Sequence, residues 1–173
     1  MPDEGSEIIF NGKGEKLEIK KYLVNEEIDE EEVLVEIRLA TVCGSDVHTW
    51  LGHRPFPTPC ILGHEMVGKI IKLGNLVKKD FEGNVLNIGD RIVWSMTVGC
   101  KQNDCFFCMN DLPQKCIRLF KYGHEKSDVK PYFSGGFAKY IILKKNSDIF
   151  KIPNEISDKE VSHLMCAGAC VLN

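Results

Sequence analysis

Four of the chain's eight cysteines fall close together, at spacings typical of a tetrahedral zinc site. They follow the pattern Cys100-x4-Cys105-x2-Cys108-x7-Cys116. Four thiolates complete the coordination of zinc, so such a site is closed and holds structure rather than performing chemistry. The alternative is a redox-active disulfide between Cys105 and Cys108. Because the set of four ligands is complete, we favour a structural zinc.

A second group of residues has the side chains of an open metal site. Cys43 begins the run Cys43-Gly-Ser-Asp-Val-His48, and His64 lies between Gly63 and Glu65. A thiolate and an imidazole are common zinc ligands, and a site with three protein ligands leaves a position for water or substrate. Cys43 and His64 are distant in sequence, so only a tertiary fold can bring them together. On spacing alone, a buried small thiol and a core histidine are an equal alternative.

The elements that must position these residues are mostly β-strands. Short stretches alternate between apolar and polar residues and are separated by glycine-rich turns, which favours a β-barrel or sandwich. We expect strands at 7–10, 17–20, 32–40, 66–73, 90–95, 137–143 and 147–152. The segment 98–122 has little periodicity, which indicates a lobe organised by metal rather than by a hydrophobic core.

Helical patterns are few. One short helix is expected at 46–51, directly after Cys43. A clearer one begins at Ser157, where Ser157-Asp-Lys-Glu160 is a capping box. Its apolar residues Val161, Leu164 and Met165 recur at helical spacing, so we expect them to share one face.

The order of these motifs resembles that of the zinc-containing medium-chain alcohol dehydrogenases. Gly63-His-Glu-Met-Val-Gly68, followed by Gly74 and Val77, is similar to the zinc signature of that family. The further marks, in the family's order, are the run from Cys43 to His48, Gly89-Asp-Arg91, Gly135-Gly-Phe-Ala138 and the cysteine lobe. The resemblance extends from about Val33 to the end of the chain and implies a mainly β fold, a GroES-like, partly open barrel with a few short helices.

The resemblance implies a set of ligands for a catalytic zinc. Cys43 and His64 correspond to two of them and Cys166 to the third, with Cys170 as the alternative. Glu65 corresponds to an acid that approaches the metal during ligand exchange. In the family the first gap of the cysteine lobe is two residues rather than four, a difference that concerns the loop more than the metal.

The resemblance also implies how protons and electrons move. Ser45 and His48 correspond to a hydroxyl–imidazole relay for the alcohol proton, and Asp46 to a carboxylate that orients the ligand His64. Zinc has no redox activity, so hydride passes to NAD or NADP. The implied reaction is oxidation of an alcohol or polyol, or the reverse reduction of a carbonyl, with zinc lowering the pKa of the alcohol.

Composition and charge narrow the function classes. The chain has 173 residues, of which 43% are hydrophobic and 27% charged, with a net charge of −3. This balance is ordinary for a soluble domain and gives no reason to expect a nucleic-acid or membrane partner. No apolar run approaches the roughly 18–20 residues that cross a bilayer. Cysteines at metal spacing without an export signal indicate a reducing compartment, and we expect a cytoplasmic protein.

We expect residues 1–173 to form an incomplete GroES-like catalytic domain, with its zinc lobe at 98–122. No Gly-x-Gly-x-x-Gly turn joins a strand to a helix, so the family's Rossmann domain is missing from this sequence. The chain alone is therefore expected to bind two Zn²⁺, one catalytic and one structural, and to transfer no hydride to NAD(P). An uncovered apolar face would favour association with the missing domain or a homo-oligomer.

Two alternatives remain open on the sequence. One is a non-catalytic zinc-binding or redox-sensitive module derived from the same family. The other, a quinone-reductase relative without catalytic zinc, conflicts with the joint presence of Cys43, His64 and Cys166. Within the family, Leu112-Pro-Gln-Lys-Cys116 followed by Lys121-Tyr-Gly-His-Glu125 is similar to dehydrogenases associated with phosphonate breakdown.

Overall fold

The computed structural model describes residues 4–24 and 27–172. Within them the chain forms ten β-strands. They are β1 (Glu4–Phe10), β2 (Glu18–Leu23), β3 (Val33–Thr41), β4 (Cys60–Ile61), β5 (Glu65–Leu73), β6 (Arg91–Trp94), β7 (Thr97–Val98), β8 (Phe120–Lys121), β9 (Tyr140–Leu143) and β10 (Ile149–Lys151). The predicted mainly β fold class is confirmed.

Helical segments are short throughout the described residues. They are α1 (Gly44–Trp50), α2 (Phe106–Met109), α3 (Asp158–Val161) and α4 (Ala169–Leu172), with a 3₁₀ turn at Pro113–Lys115 and a π-helical turn at Leu164–Gly168. None of them is long and apolar enough to span a membrane.

Two sheets form an incomplete barrel. The larger has the order β10-β6-β5-β3-β9 and the smaller β2-β1-β4, with antiparallel pairing throughout. Residues 137–139 join them: Ile8 N donates to the carbonyl of Phe137 at 2.8 Å, and Ile37 N donates to the carbonyl of Lys139 at 2.9 Å. The single segment therefore bonds to β1 on one side and to β3 on the other.

The core lies on the inner face of the larger sheet, where alternate residues of its strands meet. Its fully buried members are Val33, Val35, Met66, Ile70, Ile92, Trp94, Ile141 and Leu143. One loop approaches this barrel closely at Gly135, where a Cβ would collide with the carbonyl of Ile61. The next residue, Gly136, donates its N–H to the carbonyl of Gly63 at 2.8 Å. Glycine at these positions allows the loop to hold the backbone directly before His64.

The helix expected from Ser157 is interrupted. Its capping box is present, with Ser157 N donating to Glu160 Oε2 at 2.8 Å. The α-helix ends after one turn, however, and the chain continues into the π-helical turn. Val161 is buried and Met165 packs against the core, whereas Leu164, the first residue of the π-helical turn, is 41% exposed. The three apolar residues expected on one face therefore differ in burial.

Several large apolar side chains lie on the surface beside α1. Leu17, Val42, Val47 and Trp50 are each at least 42% exposed, and they line a groove of about 380 Å³. The expected uncovered apolar surface is therefore present among the described residues. Association of this surface with the missing domain or with a second copy of the chain stays a prediction.

Candidate metal centres

The structure brings three residues from distant parts of the chain together at the start of α1 and β5. Ligand atoms of Cys43, His64 and Cys166 all lie within 4.8 Å of one another. The two sulfurs are 4.0 Å apart. A tetrahedral zinc with bonds of about 2.3 Å to sulfur separates two thiolates by about 3.8 Å, so the spacing and the donor types fit zinc.

Asp46 connects two of these residues. It lies in the first turn of α1, where its Oδ2 accepts from the N–H of Cys43 at 2.9 Å and caps the helix. Its Oδ1 accepts from Nδ1 of His64 at 3.1 Å and from the N–H of Gly63 at 3.1 Å. One carboxylate therefore holds the backbone at Cys43, after β3, the backbone at Gly63, before β5, and the imidazole of His64.

The bond to Asp46 also determines the tautomer of His64. Because Nδ1 donates its proton to the carboxylate, Nε2 carries a lone pair. Ser45 Oγ lies 3.1 Å from that Nε2 and donates to it. The lone pair of Nε2 therefore lies on the same side of the site as the thiols of Cys43 and Cys166, an arrangement that binding of one metal ion by all three residues requires.

Glu65 holds the third residue in place. Its Oε1 accepts from the N–H of Ala167 at 2.9 Å, and its Oε2 accepts from Thr41 Oγ1 at 2.9 Å. The side chain is only 3% exposed. These bonds attach the π-helical turn that carries Cys166 to the start of β5, and π-helical turns of this kind are frequent at functional sites. Thr41 was not singled out from the sequence, although it lies two residues before Cys43.

The thiol and imidazole pKa values respond to this environment. Burial raises the pKa of Cys43, but the contacts of its sulfur with Ser45 and His64 outweigh burial and leave the pKa lowered. Burial, followed by the charge of Cys43, raises the pKa of Cys166 to about 12. Burial lowers the pKa of His64, but the hydrogen bond to Asp46 outweighs burial and raises it. A nearby cation is needed to ionise both thiols together.

The two alternatives for the third thiol have different positions. Cys166 is half-buried beside Cys43, whereas Cys170 is exposed. Cys60 is fully buried in a small apolar cluster, as expected of a core thiol. The structure therefore groups Cys166, and neither of the other two, with Cys43 and His64.

The two members of the expected proton relay are not in direct contact. Ser45 Oγ is bonded to His64, while His48 lies on the exposed side of α1. The Nδ1 atom of His48 is 3.3 Å from Nδ1 of His53. Trp50, the last residue of α1, is 51% exposed at the apolar groove. A relay from Ser45 to His48 stays a prediction.

The cysteine lobe forms a second cluster. Sγ atoms of Cys100, Cys105, Cys108 and Cys116 all lie within 4.8 Å of one another. The Cys100–Cys108 and Cys105–Cys116 sulfurs are each 3.8 Å apart, as in a zinc tetrahedron. The backbone N–H groups of Cys100 and Arg118 both donate to the sulfur of Cys116 at 3.3 Å, a pattern that stabilises a thiolate.

Arg118 binds the loop between Cys100 and Cys105, which is the longer first spacing of the lobe. Its guanidinium forms two hydrogen bonds with the carboxylate of Asp104, at 3.0 and 2.7 Å, and Nη1 also lies 3.6 Å from the sulfur of Cys100. The inserted residues are thus held against the cluster. Lys101, directly after Cys100, forms a salt bridge with Asp148 at 2.8 Å.

The chain is similar in sequence to known proteins. Residues 29–154 match the family model described as "Alcohol dehydrogenase GroES-like domain". A zinc-type alcohol dehydrogenase B from Aspergillus flavus is 27% identical over 132 residues, which are 76% of this chain and 28% of that protein. The chain therefore spans less than half the length of such relatives.

Solved structures have the same architecture. An alcohol dehydrogenase from Thermotoga maritima matches with a TM-score of 0.87 and 30% identity, over 96% of this chain and 45% of the other. An alcohol dehydrogenase from Escherichia coli, in complex with NADH, matches with a TM-score of 0.75 and 25% identity, over 93% of this chain and 42% of the other.

Proposed function

Since the chain belongs to the alcohol dehydrogenase GroES-like domain family, we propose that it forms the catalytic-domain portion of a zinc-dependent dehydrogenase that uses NAD or NADP. Its substrate is an alcohol or polyol, or the corresponding carbonyl compound. In this proposal residues 1–173 belong to one domain whose lobe, 98–122, is held by a structural zinc. The NAD(P)-binding portion is a separate Rossmann domain.

The observation that supports the proposal is the convergence of Cys43, His64 and Cys166. Three donors leave one tetrahedral position for a substrate oxygen. Zinc bound there supplies Lewis acidity, which lowers the pKa of an alcohol and polarises a carbonyl. The lobe offers four thiols to one ion and leaves no such position.

The residues around the site have distinct tasks. Asp46 keeps the proton on Nδ1 of His64, so that Nε2 is free as a ligand. Glu65 keeps Cys166 in place through the N–H of Ala167. Ser45 Oγ lies 3.1 Å from Nε2 of His64. With Nε2 engaged as a zinc ligand, this hydroxyl would be free to accept a hydrogen bond from a substrate hydroxyl.

Cobalt substitution tests this proposal, since Co²⁺ takes the place of zinc and absorbs visible light according to its ligands. The chain is loaded with Co²⁺ and titrated with ethanol and acetaldehyde. We expect the spectrum to change for about one of two bound ions, the ion at the open site. A spectrum insensitive to both compounds, with two ions bound, contradicts the proposal and favours a non-catalytic zinc module.

A further inference from the structure

A short segment after the cysteine lobe lies directly against the open site. Gly123 has a φ of +77°, and a Cβ there would meet the carbonyl of Gly63 and the Cβ of His64. Only glycine allows this approach at that backbone conformation. This close contact accompanies the packing of His124 beside the candidate ligand His64, and Lys121, at the end of β8, lies two residues before Gly123.

Two cations surround one aromatic ring in this region. The guanidinium carbon of Arg54 is 5.5 Å from the centroid of Phe56, and Nζ of Lys121 is 5.9 Å from it. The edge of the same ring meets His124, with centroids 4.2 Å apart, and His124 lies 5.0 Å from His64. The cations are thus separated from the metal ligand by the width of about two rings.

Arg54 differs from the other arginines of the chain. Arg38, Arg91 and Arg118 each bond to an aspartate at 2.7 Å. Within 4–24 and 27–172, neither Arg54 nor Lys121 forms a salt bridge with a carboxylate.

The two positive charges also oppose each other. Burial lowers the pKa of Lys121, and the charge of Arg54 lowers it further. The opposite effects on it come from Cys166, Cys43 and Asp46, so Lys121 lies within electrostatic range of the open site.

We propose that Arg54 and Lys121 bind a phosphate-like oxyanion group carried by the alcohol substrate. This inference rests on the proposed function and narrows its substrate class to phosphorylated or otherwise dianionic hydroxy compounds. The guanidinium of Arg54 presents two parallel N–H donors that match such a group, and Lys121 adds a point charge. The hydroxyl end of the substrate then lies toward Cys43, His64 and Cys166.

The test compares a charged and a neutral alcohol on the cobalt-loaded chain. Hydroxyethyl phosphate is expected to change the visible spectrum at a concentration at least about 10-fold lower than ethanol does. Arg54→Gln and Lys121→Gln should each remove this advantage while leaving the metal content and the response to ethanol unchanged. Lys78→Gln, an exposed lysine past the far end of β5, is the matched control and should behave as the wild type.

The possible results separate this inference from the proposed function. If ethanol and hydroxyethyl phosphate act at equal concentrations, the inference is wrong and the proposed function stands. If neither alters the spectrum while calorimetry detects inorganic phosphate binding that requires Arg54 and Lys121, the oxyanion site stands and the proposed function fails. The cofactor is the other compound that could bring a phosphate group to Arg54 and Lys121, and calorimetry with NAD⁺ tests this alternative. If NAD⁺ binding depends on the two residues and hydroxyethyl phosphate binding does not, the cations serve the cofactor and the inference is overturned.

Discussion

The carboxylate of Asp46 accepts a hydrogen bond from Nδ1 of His64 at 3.1 Å, and the two side chains are 2% and 0% exposed. Such a buried pair is costly to separate, because each group would lose a hydrogen bond that compensates for leaving water. The same carboxylate caps α1 at Cys43. One residue thus links the helix, the strand and the orientation of the imidazole, and the open site depends on it.

Asp46→Asn should weaken this arrangement without changing its size. An amide has one oxygen, so either the N–H of Cys43 or Nδ1 of His64 loses its acceptor. We expect a loss of about 1–3 kcal/mol in the free energy of unfolding, and about a 10–100-fold weaker affinity for zinc at the open site. Urea denaturation and competition with a zinc chelator measure the two effects. Asp128→Asn, at an exposed position, is the control and should change neither.

Glu65 offers a matched pair of substitutions. In Glu65→Gln the amide oxygen can still accept from the N–H of Ala167, while its NH₂ donates to Thr41 Oγ1, so zinc binding should be nearly unchanged. Glu65→Ala leaves that N–H without its partner and releases the turn that carries Cys166. Zinc affinity at the open site should fall at least about 10-fold. Equal zinc affinity of the two variants would show that Glu65 does not position Cys166.

Arg118→Gln tests the lobe. The variant removes both bonds to Asp104 and the charge near Cys100, so the inserted loop loses its attachment. We expect about a 10-fold loss of zinc affinity at the four-cysteine cluster and no change at the open site. Arg118→Lys keeps the charge without the paired donors and should have an intermediate effect. Cobalt titration resolves the clusters, since four thiolates and two thiolates give different absorption.

The stability of the chain should depend on pH through Asp80. This carboxylate accepts four hydrogen bonds, from the N–H groups of Glu82, Asn84 and Lys151 and from the side chain of Asn84. Burial raises its pKa, but these bonds outweigh burial and leave the pKa lowered. The unfolded chain therefore takes up the proton first, near the ordinary pKa of about 3.9. The stabilisation is complete above that pH and is lost as the pH falls toward the lowered value.

Comparison with Asp80→Ala isolates this effect. The wild type should exceed the variant by about 1–3 kcal/mol in free energy of unfolding at pH 6. The difference should shrink below pH 4, whereas metal loss at low pH affects both proteins and cancels. A difference that stays constant down to pH 3 would show that the carboxylate charge does not matter. Urea denaturation at a series of pH values provides the data.

The sequence predicted the parts that depend on local pattern. The main strands, the short helix after Cys43 and the capping box at Ser157 follow from alternation, turn residues and side-chain chemistry. The π-helical turn at Leu164–Gly168 was not predicted, because it depends on hydrogen bonds with β5. Glu65 accepts from the N–H of Ala167, and the N–H of Met66 donates to the sulfur of Met165. Nothing in the local sequence indicates such tertiary contacts.

The surroundings of the site were harder to anticipate. The ligand candidates carry recognisable residue types, but Arg54, Phe56 and Lys121 meet only because Gly123 packs against the turn at Gly63. His124 likewise packs against His64 and Phe56, with an exposed fraction of 3%. A sequence shows where a glycine could permit close approach, but it does not show which segment packs against that glycine.

The zinc content of a pair of cysteine variants tests the central claim most directly. Wild-type chain, Cys166→Ser and Cys170→Ser are purified with zinc and measured by elemental analysis, with circular dichroism to check folding. We predict two zinc ions for the wild type and for Cys170→Ser, and one for folded Cys166→Ser. Retention of two ions by Cys166→Ser, or loss of one by Cys170→Ser, would contradict a metal site formed by Cys43, His64 and Cys166.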